Sequence, residues 1–312
     1  MSEIRGHRTE ALVSESGPVA GMIEGLPSKL SRYSRAKARA TEMRGYLSDI
    51  GQPRLALKLN SCGNWLLFHF YVTVNKVRLV NACFCRKHLL CPLCAIRRGA
   101  KQLKSYLDRF EVVKAENPGL GASLVTLTVK NGDDLAERFD HLREGVKTLN
   151  QRRKDSLRGR AYASEWSKVL GLVGTYEVTN KGKGWHPHTH LIVLHRDPIS
   201  EANLRAEWKG ITGDSFQVDV TPIRNPDNPV KDFCEVFKYS MKFADLSLSD
   251  NYQAFLTLSG RRLIYSAGLF WGVKVPEDLR DEALDDLPYI EMLYEYRESG
   301  GYNFVKQTDG PT

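Results

Sequence analysis

The feature that most restricts how this chain can fold is a pair of runs rich in apolar and β-branched residues, "VLGLVGTYEVTN" (169–180) and "WHPHTHLIVLH" (185–195), joined by the short turn "KGKG". Two such runs around a Gly-rich turn predict a β-hairpin. Side chains alternate along a strand, so His186, His188 and His190 line one face while Thr189 and Leu191 point the other way. The hairpin also brings the strand carrying Glu177 alongside His188 and His190. Two imidazoles and a carboxylate hold a divalent ion and leave positions open on it, which is what a catalytic metal needs. The same histidines also suit the polar face of an edge strand, a place where Pro187 is tolerated. The rest of the chain has to decide between the two.

The cysteines are clustered. Five of the six lie between residues 62 and 94, and only Cys234 stands apart. Cys91 and Cys94 form a C-x-x-C knuckle, which needs a second pair of ligands to close a tetrahedral zinc site. The alternating run "WLLFHFYVTVNKVRLVNACF" (65–84) predicts a hairpin that returns Cys85 beside Cys62. Cys62, Cys85, Cys91 and Cys94 are therefore the favoured structural Zn²⁺ ligands, with Cys83 and His88 as substitutes. Arg97 and Arg98 follow the knuckle and are candidate contacts to DNA phosphates.

Elsewhere, spacing predicts a basic helix after a polar, disordered stretch of about 25 residues, and a second helix from about Cys94 to Ala115. There follow a strand "GASLVTLTVKN" (121–131), a helix over 133–157, the histidine hairpin, a helix over 200–212, a short strand within 215–223 and a helix over 231–244. This order predicts an α+β fold, with a central, largely antiparallel sheet and helices on one face. The expected division is a disordered N-terminus and basic helix (1–50), a small zinc-binding module (51–100), a main domain (101–275) and a C-terminal extension (276–312).

Net charge is +8, from 45 Lys+Arg against 37 Asp+Glu, which favours a polyanionic partner. No run of about 18 apolar residues predicts a membrane span, and "MSEIRGHRTEALVSESGPVAG" has no apolar leader core, so the cytoplasm is the expected compartment. The chain has no G-x-x-x-x-G-K-[ST] loop, so an ATP-driven helicase of its own is not expected.

In "EVFKYSMKF" (235–243), helical spacing puts Glu235, Tyr239 and Lys242 on one face, a nucleophile with an acid and a base beside it. A surface helix with a half-buried tyrosine would read the same way.

Taken together, "TLTVKN" (126–131), "HPHTH" (186–190) and "EVFKYSMK" (235–242) resemble, in order and spacing, the three motifs of HUH-type rolling-circle replication initiators. The chain looks most like their single-tyrosine plasmid Rep branch, in which cysteine and arginine segments like "CGNW", "FCRKHLLCPLC" and "IRRG" precede the first motif. The match runs over roughly residues 50 to 270.

The resemblance implies an HUH endonuclease fold and a metal-dependent nickase. It places the paired metal histidines on His188 and His190, with Glu177 as carboxylate ligand and Mn²⁺ or Mg²⁺ as the catalytic ion. His186 is a third ligand, a group behind the ligands, or a bystander. Thr189 stands where the family usually has a hydrophobic residue. The nucleophile falls on Tyr239, with Lys242 beside it and Glu235 as the base for a terminating hydrolysis.

The implied substrate is single-stranded or hairpin origin DNA, nicked through a 5′-phosphotyrosine that leaves a 3′-OH for host polymerase, with a host helicase opening the duplex. Arg152, Arg153 and Trp185 are further candidate DNA contacts, Trp185 being equally a candidate for the core. A conjugative relaxase or single-tyrosine transposase would share the chemistry. A zinc-containing DNA-binding repressor would explain the cysteines and the charge alone, and a zinc-dependent hydrolase would use the histidines without the tyrosine.

Overall fold

The computed structural model describes residues 23–160, 163–223, 229–237, 245–274 and 287–310. The stretch expected to be disordered lies almost wholly outside them. The chain divides into two compact units, residues 1–85 with 283–312, and residues 86–282.

In the first unit, helices α1 (Leu26–Asp49) and α2 (Pro53–Asn60) accompany strands β1 (Trp65–Tyr71) and β2 (Lys76–Ala82), the expected hairpin. Strands β8 (Tyr289–Arg297) and β9 (Gly301–Asp309) complete an antiparallel sheet in the order β2-β1-β8-β9. The residues expected as a C-terminal extension thus pair with β1 along its whole length, from Trp65 opposite Glu295 to Tyr71 opposite Tyr289. The physical reason is the free edge of β1, whose backbone groups need a partner on the side away from β2. Leu26 of α1 packs with Leu66, Phe68 and Phe70 of β1 and with Met292 and Tyr294 of β8. The basic helix is a packed element of this core, and the buried Lys37 ammonium donates to the carbonyl of Cys62 at 2.8 Å and to Asn64 Oδ1 at 2.8 Å.

The second unit is built on an antiparallel sheet in the order β6-β3-β5-β4-β7. Its strands are β3 (Gly121–Thr128), β4 (Val169–Asn180), β5 (Trp185–His195), β6 (Val218–Pro222) and β7 (Ile264–Gly268). The helices are α3 (Pro92–Glu116), α4 (Leu135–Leu157), α5 (Glu201–Thr212), α6 (Val230–Phe237) and α7 (Leu248–Leu258). Their starts follow local chemistry: proline opens α3, while Asp134, Ser200 and Ser247 cap α4, α5 and α7 by accepting a backbone N–H.

Helices cover both faces of this sheet, not one as expected. Leu172, Tyr176, Leu191 and Val193 pack against Phe139, Leu142 and Val146 of α4, Leu204 and Trp208 of α5 and Leu258 of α7. On the opposite face Val173, Ile192 and Leu194 meet Phe110 and Val113 of α3 and Phe233, Val236 and Phe237 of α6. The cause is that β4 and β5 are central strands buried almost continuously, so neither face can be left to water. Each fully buried Leu, Val or Phe contributes about 1.5–3 kcal/mol, and leaving one face bare would forfeit that for a whole row. No described helix is long and apolar enough to cross a membrane.

Candidate active site

Register sets the site. Strands β4 and β5 pair from Val169 opposite His195 to Asn180 opposite Trp185, which puts Glu177 directly opposite His188 and Thr175 opposite His190. The turn is held close to the next segment: Gly184 has φ +81°, and a Cβ there would lie 2.8 Å from the Gly132 carbonyl oxygen. Trp185 and Gly132 exchange both backbone hydrogen bonds, at 2.7 and 3.1 Å. This fixes the start of the histidine strand.

Glu177, His188 and His190 converge on the face covered by α3 and α6, each offering a ligand atom within 4.8 Å of the others. Glu177 Oε2 lies 3.0 Å from His188 Nε2 and 3.6 Å from His190 Nε2. Two ligands at right angles on a small octahedral ion, each at about 2.1 Å, are about 3 Å apart, so the spacing suits a divalent cation. Glu177 is 1% exposed. Burial pushes its carboxyl up, but the hydrogen bonds and charge of His188 and His190 outweigh burial and hold it well below the usual carboxylate range.

Each histidine is oriented through its other nitrogen. His188 Nδ1 donates to the His186 carbonyl at 3.2 Å, and His190 Nδ1 is 2.9 Å from the Thr126 hydroxyl, leaving both Nε2 atoms toward Glu177. Thr126 was not singled out by the sequence reading, although it opens the first motif. The signal is register: β3 pairs with β5 so that Thr126 stands opposite His190. Asn131, which ends the same motif, was also missed. Its side chain contacts His186 Nδ1 at 2.7 Å and donates to the Lys183 carbonyl at 3.0 Å.

His186 is therefore tied to Asn131 and does not join the ligand group. Burial, the neighbouring His188 and Lys181 keep its imidazole below the usual histidine value. Thr189 is fully buried on the opposite face, where its hydroxyl bonds the Thr175 carbonyl at 2.8 Å and the Tyr265 hydroxyl at 2.9 Å. A polar residue at this position is satisfied by two partners.

Helix α6 carries Glu235, half-buried, while Phe233, Val236 and Phe237 are in the core. The Thr175 hydroxyl donates to the Val236 carbonyl at 2.6 Å and so joins the strand of Glu177 to this helix. Tyr239 and Lys242 lie outside the described residues.

In the first unit the Cys85 N–H donates to Cys62 Sγ at 3.3 Å, and in the second Cys91 and Cys94 stand at the start of α3. Each pair supplies two soft thiolate donors of the kind a tetrahedral Zn²⁺ takes.

The candidate DNA contacts separate into two kinds. Arg97 and Arg98 are exposed on α3. Trp185, in contrast, is 3% exposed and packs in the core, so it has no face to offer a base. Arg153 is committed inward, its guanidinium donating to the carbonyls of Val169 and Leu170, and Arg152 lies 3.9 Å from Glu207. Both face β4 and α5 because α4 packs there, which a run of arginines does not reveal.

The family profile described as "Replication protein" matches residues 76–304. A "Protein rep" of Bacillus sp is 32% identical over 186 residues, covering 56% of each chain, and one of Lactiplantibacillus plantarum is 25% identical over 256 residues, covering 74% of this chain and 78% of the relative. A third, from Streptococcus pneumoniae serotype 2, is 29% identical over 178 residues and covers 53% and 51%. The matches thus span about half the length of the Bacillus and Streptococcus relatives. No solved structure matches the chain.

Proposed function

Because this chain belongs to the replication-protein family, we propose that it initiates rolling-circle replication of a plasmid in the bacterial cytoplasm, by nicking one strand of the origin. The observation that carries the reading is the convergence of Glu177, His188 and His190 on the face against which Thr175 fastens α6, the helix that leads into the tyrosine motif.

Glu177, His188 and His190 would hold the catalytic ion, Mn²⁺ or Mg²⁺. Such an ion, when bound, supplies Lewis acidity that draws electron density from the scissile phosphate. Thr126 and the His186 carbonyl hold the two imidazoles with Nε2 toward that position. Tyr239 is the proposed nucleophile. Its phenol oxygen bonds to phosphorus, the bond from phosphorus to the 3′ oxygen breaks, and that oxygen takes a proton to become a 3′-OH. The 5′ phosphate stays on the tyrosine. Lys242 supports the negative charge that develops on the phenol oxygen as its proton leaves.

The retained phosphodiester allows the displaced strand to be rejoined later, and Glu235 is placed one turn before Tyr239 in the sequence to activate water for a terminating hydrolysis. The 3′-OH would prime a host polymerase, with a host helicase opening the duplex. The four cysteines would hold a structural zinc.

The test is incubation with labelled single-stranded origin oligonucleotides and Mn²⁺, resolved on a denaturing gel beside Tyr239→Phe. A labelled protein band lost in the variant and with EDTA is the expected result. Cleavage without that band, or cleavage by the variant, would replace the reading with a metal-dependent hydrolase. Absence of both cleavage and a band on every candidate origin would leave a zinc-containing DNA-binding protein.

A further inference from the structure

Beside the metal residues on the same face of the sheet lies a cleft of about 480 Å³ between α3 and the start of β7. Its place follows from pairing: Ile264, which lines it, stands opposite Thr175, two residues before Glu177 on the same side of β4. Tyr106 also lines it and stacks on Phe237 of α6, with ring centroids 5.2 Å apart and planes at 17°. The cleft therefore lies on the same side of the sheet as the metal residues.

The cleft's chemistry is one-sided. Arg98, Arg261 and Arg262 line it and, among the described residues, no carboxylate does. Arg261 is already taken, paired with Asp140 and lying over the Phe139 ring. Arg98 and Arg262 are exposed and have no ion-pair partner among the described residues. Unopposed guanidinium groups at the rim of a cavity suit a phosphate, which accepts their planar pair of N–H donors.

A second observation comes from the interior. Gln102 Oε1 is buried and accepts no hydrogen bond among the described residues. A buried acceptor without a donor is costly, so a ligand that brings an N–H is favoured there. His88, on the same wall, is pushed down to about 4 by burial and by the charge of Arg98, and so adds no positive charge near neutral pH. Among the components of the proposed substrate, a nucleotide unit carries both groups, a phosphate and a base with an N–H. A volume near 480 Å³ also falls within the range of about 300–1,000 Å³ usual for small-molecule sites.

We infer that this cleft is a nucleotide subsite for the single-stranded DNA flanking the nick, with Arg98 and Arg262 on a phosphate and Gln102 accepting from the base. The inference rests on the nickase reading, and the two fail separately: the covalent band of the wild-type protein decides the reading, equilibrium binding decides the subsite.

The experiment measures fluorescence anisotropy of labelled dA12, dC12 and dT12 against the full chain over a range of salt. Replacing both arginines (Arg98→Ala with Arg262→Ala) is expected to weaken all three oligonucleotides about 10-fold at low salt. It should also reduce the slope of log affinity against log salt by about 0.7, the value for one phosphate contact on a single strand. Gln102→Leu is expected to leave that slope unchanged and to alter the ranking of the three bases. Unchanged affinity and slope in the double variant would overturn the subsite, as would binding of free dAMP at micromolar concentration that the double variant abolishes, since that marks a site for free nucleotide. Failure of the wild-type chain to bind any of the oligonucleotides would overturn the subsite and leave the nickase reading to the covalent band.

Discussion

Thr175 and Val236 are joined by a short hydrogen bond, the hydroxyl of Thr175 donating to the Val236 carbonyl at 2.6 Å. Thr175 and Val236 are both fully buried. The bond therefore satisfies a buried acceptor and sets the distance between the strand of Glu177 and the helix of Glu235. Thr175→Val keeps the shape and removes the donor. It is expected to lower Tm by roughly 2–8 °C, from a loss of about 1–2 kcal/mol. If the bond positions α6, covalent adduct formation falls about 10-fold or more while oligonucleotide affinity changes less than about twofold. A fall in Tm with an unchanged adduct rate would make the bond purely structural.

The buried pair on the other face offers a separate test. Thr189 and Tyr265 meet through their hydroxyls at 2.9 Å, and burial pushes the Tyr265 phenol well above its ordinary value. Thr189→Val leaves the Tyr265 hydroxyl and the Thr175 carbonyl each short of a partner, at an expected cost of about 1–3 kcal/mol in denaturant unfolding. Combining it with Tyr265→Phe should cost less than the sum of the two single changes. Additive losses would show that the hydroxyls are not coupled.

The Glu165 carboxylate predicts an acid-sensitive increment of stability. Burial pushes this carboxyl up, but Lys168, the Ser200 N–H and Asn203 together hold it below the usual carboxylate value. A depressed folded value stabilises above the unfolded value of about 4.3, and the stabilisation is lost as pH falls through the lower folded value. Glu165→Gln should therefore lower Tm relative to wild type near pH 7, and the gap should narrow at acid pH, below the unfolded value. A gap of equal size at both pH values would assign the effect to packing rather than to charge.

For the cysteine group, the purified chain is expected to release about one zinc ion when its thiols are blocked, measured with a colorimetric zinc indicator. Cys91→Ser should lower zinc retention and stability, whereas Cys83→Ser and Cys234→Ser should retain the ion. Equal retention in Cys91→Ser would remove the knuckle from the site.

Much of the candidate site was legible because it depends on short-range geometry. A tight turn at 181–184 fixes the register of the hairpin, and alternation then puts Glu177 opposite His188 and both histidines on one face. The closing of Cys62 on Cys85 follows in the same way from a hairpin whose two strands are adjacent in sequence. Thr126 is a different case. Its position opposite His190 depends on pairing between β3 and β5, separated by a helix and a third strand, and alternation within one strand carries no information about such a partner.

The sequence by itself determined which residues could be ligands, that they share a face, and that the chain alternates strands with helices, because those properties repeat every two or every 3.6 residues along the backbone. Tertiary structure alone decided that both faces of the histidine sheet are covered, that β8 pairs with β1 across more than 200 residues, and that Trp185 and Arg153 turn inward. Those outcomes follow from global burial of apolar surface and satisfaction of every backbone polar group, which are properties of the whole packed chain and leave no periodic mark on any one segment.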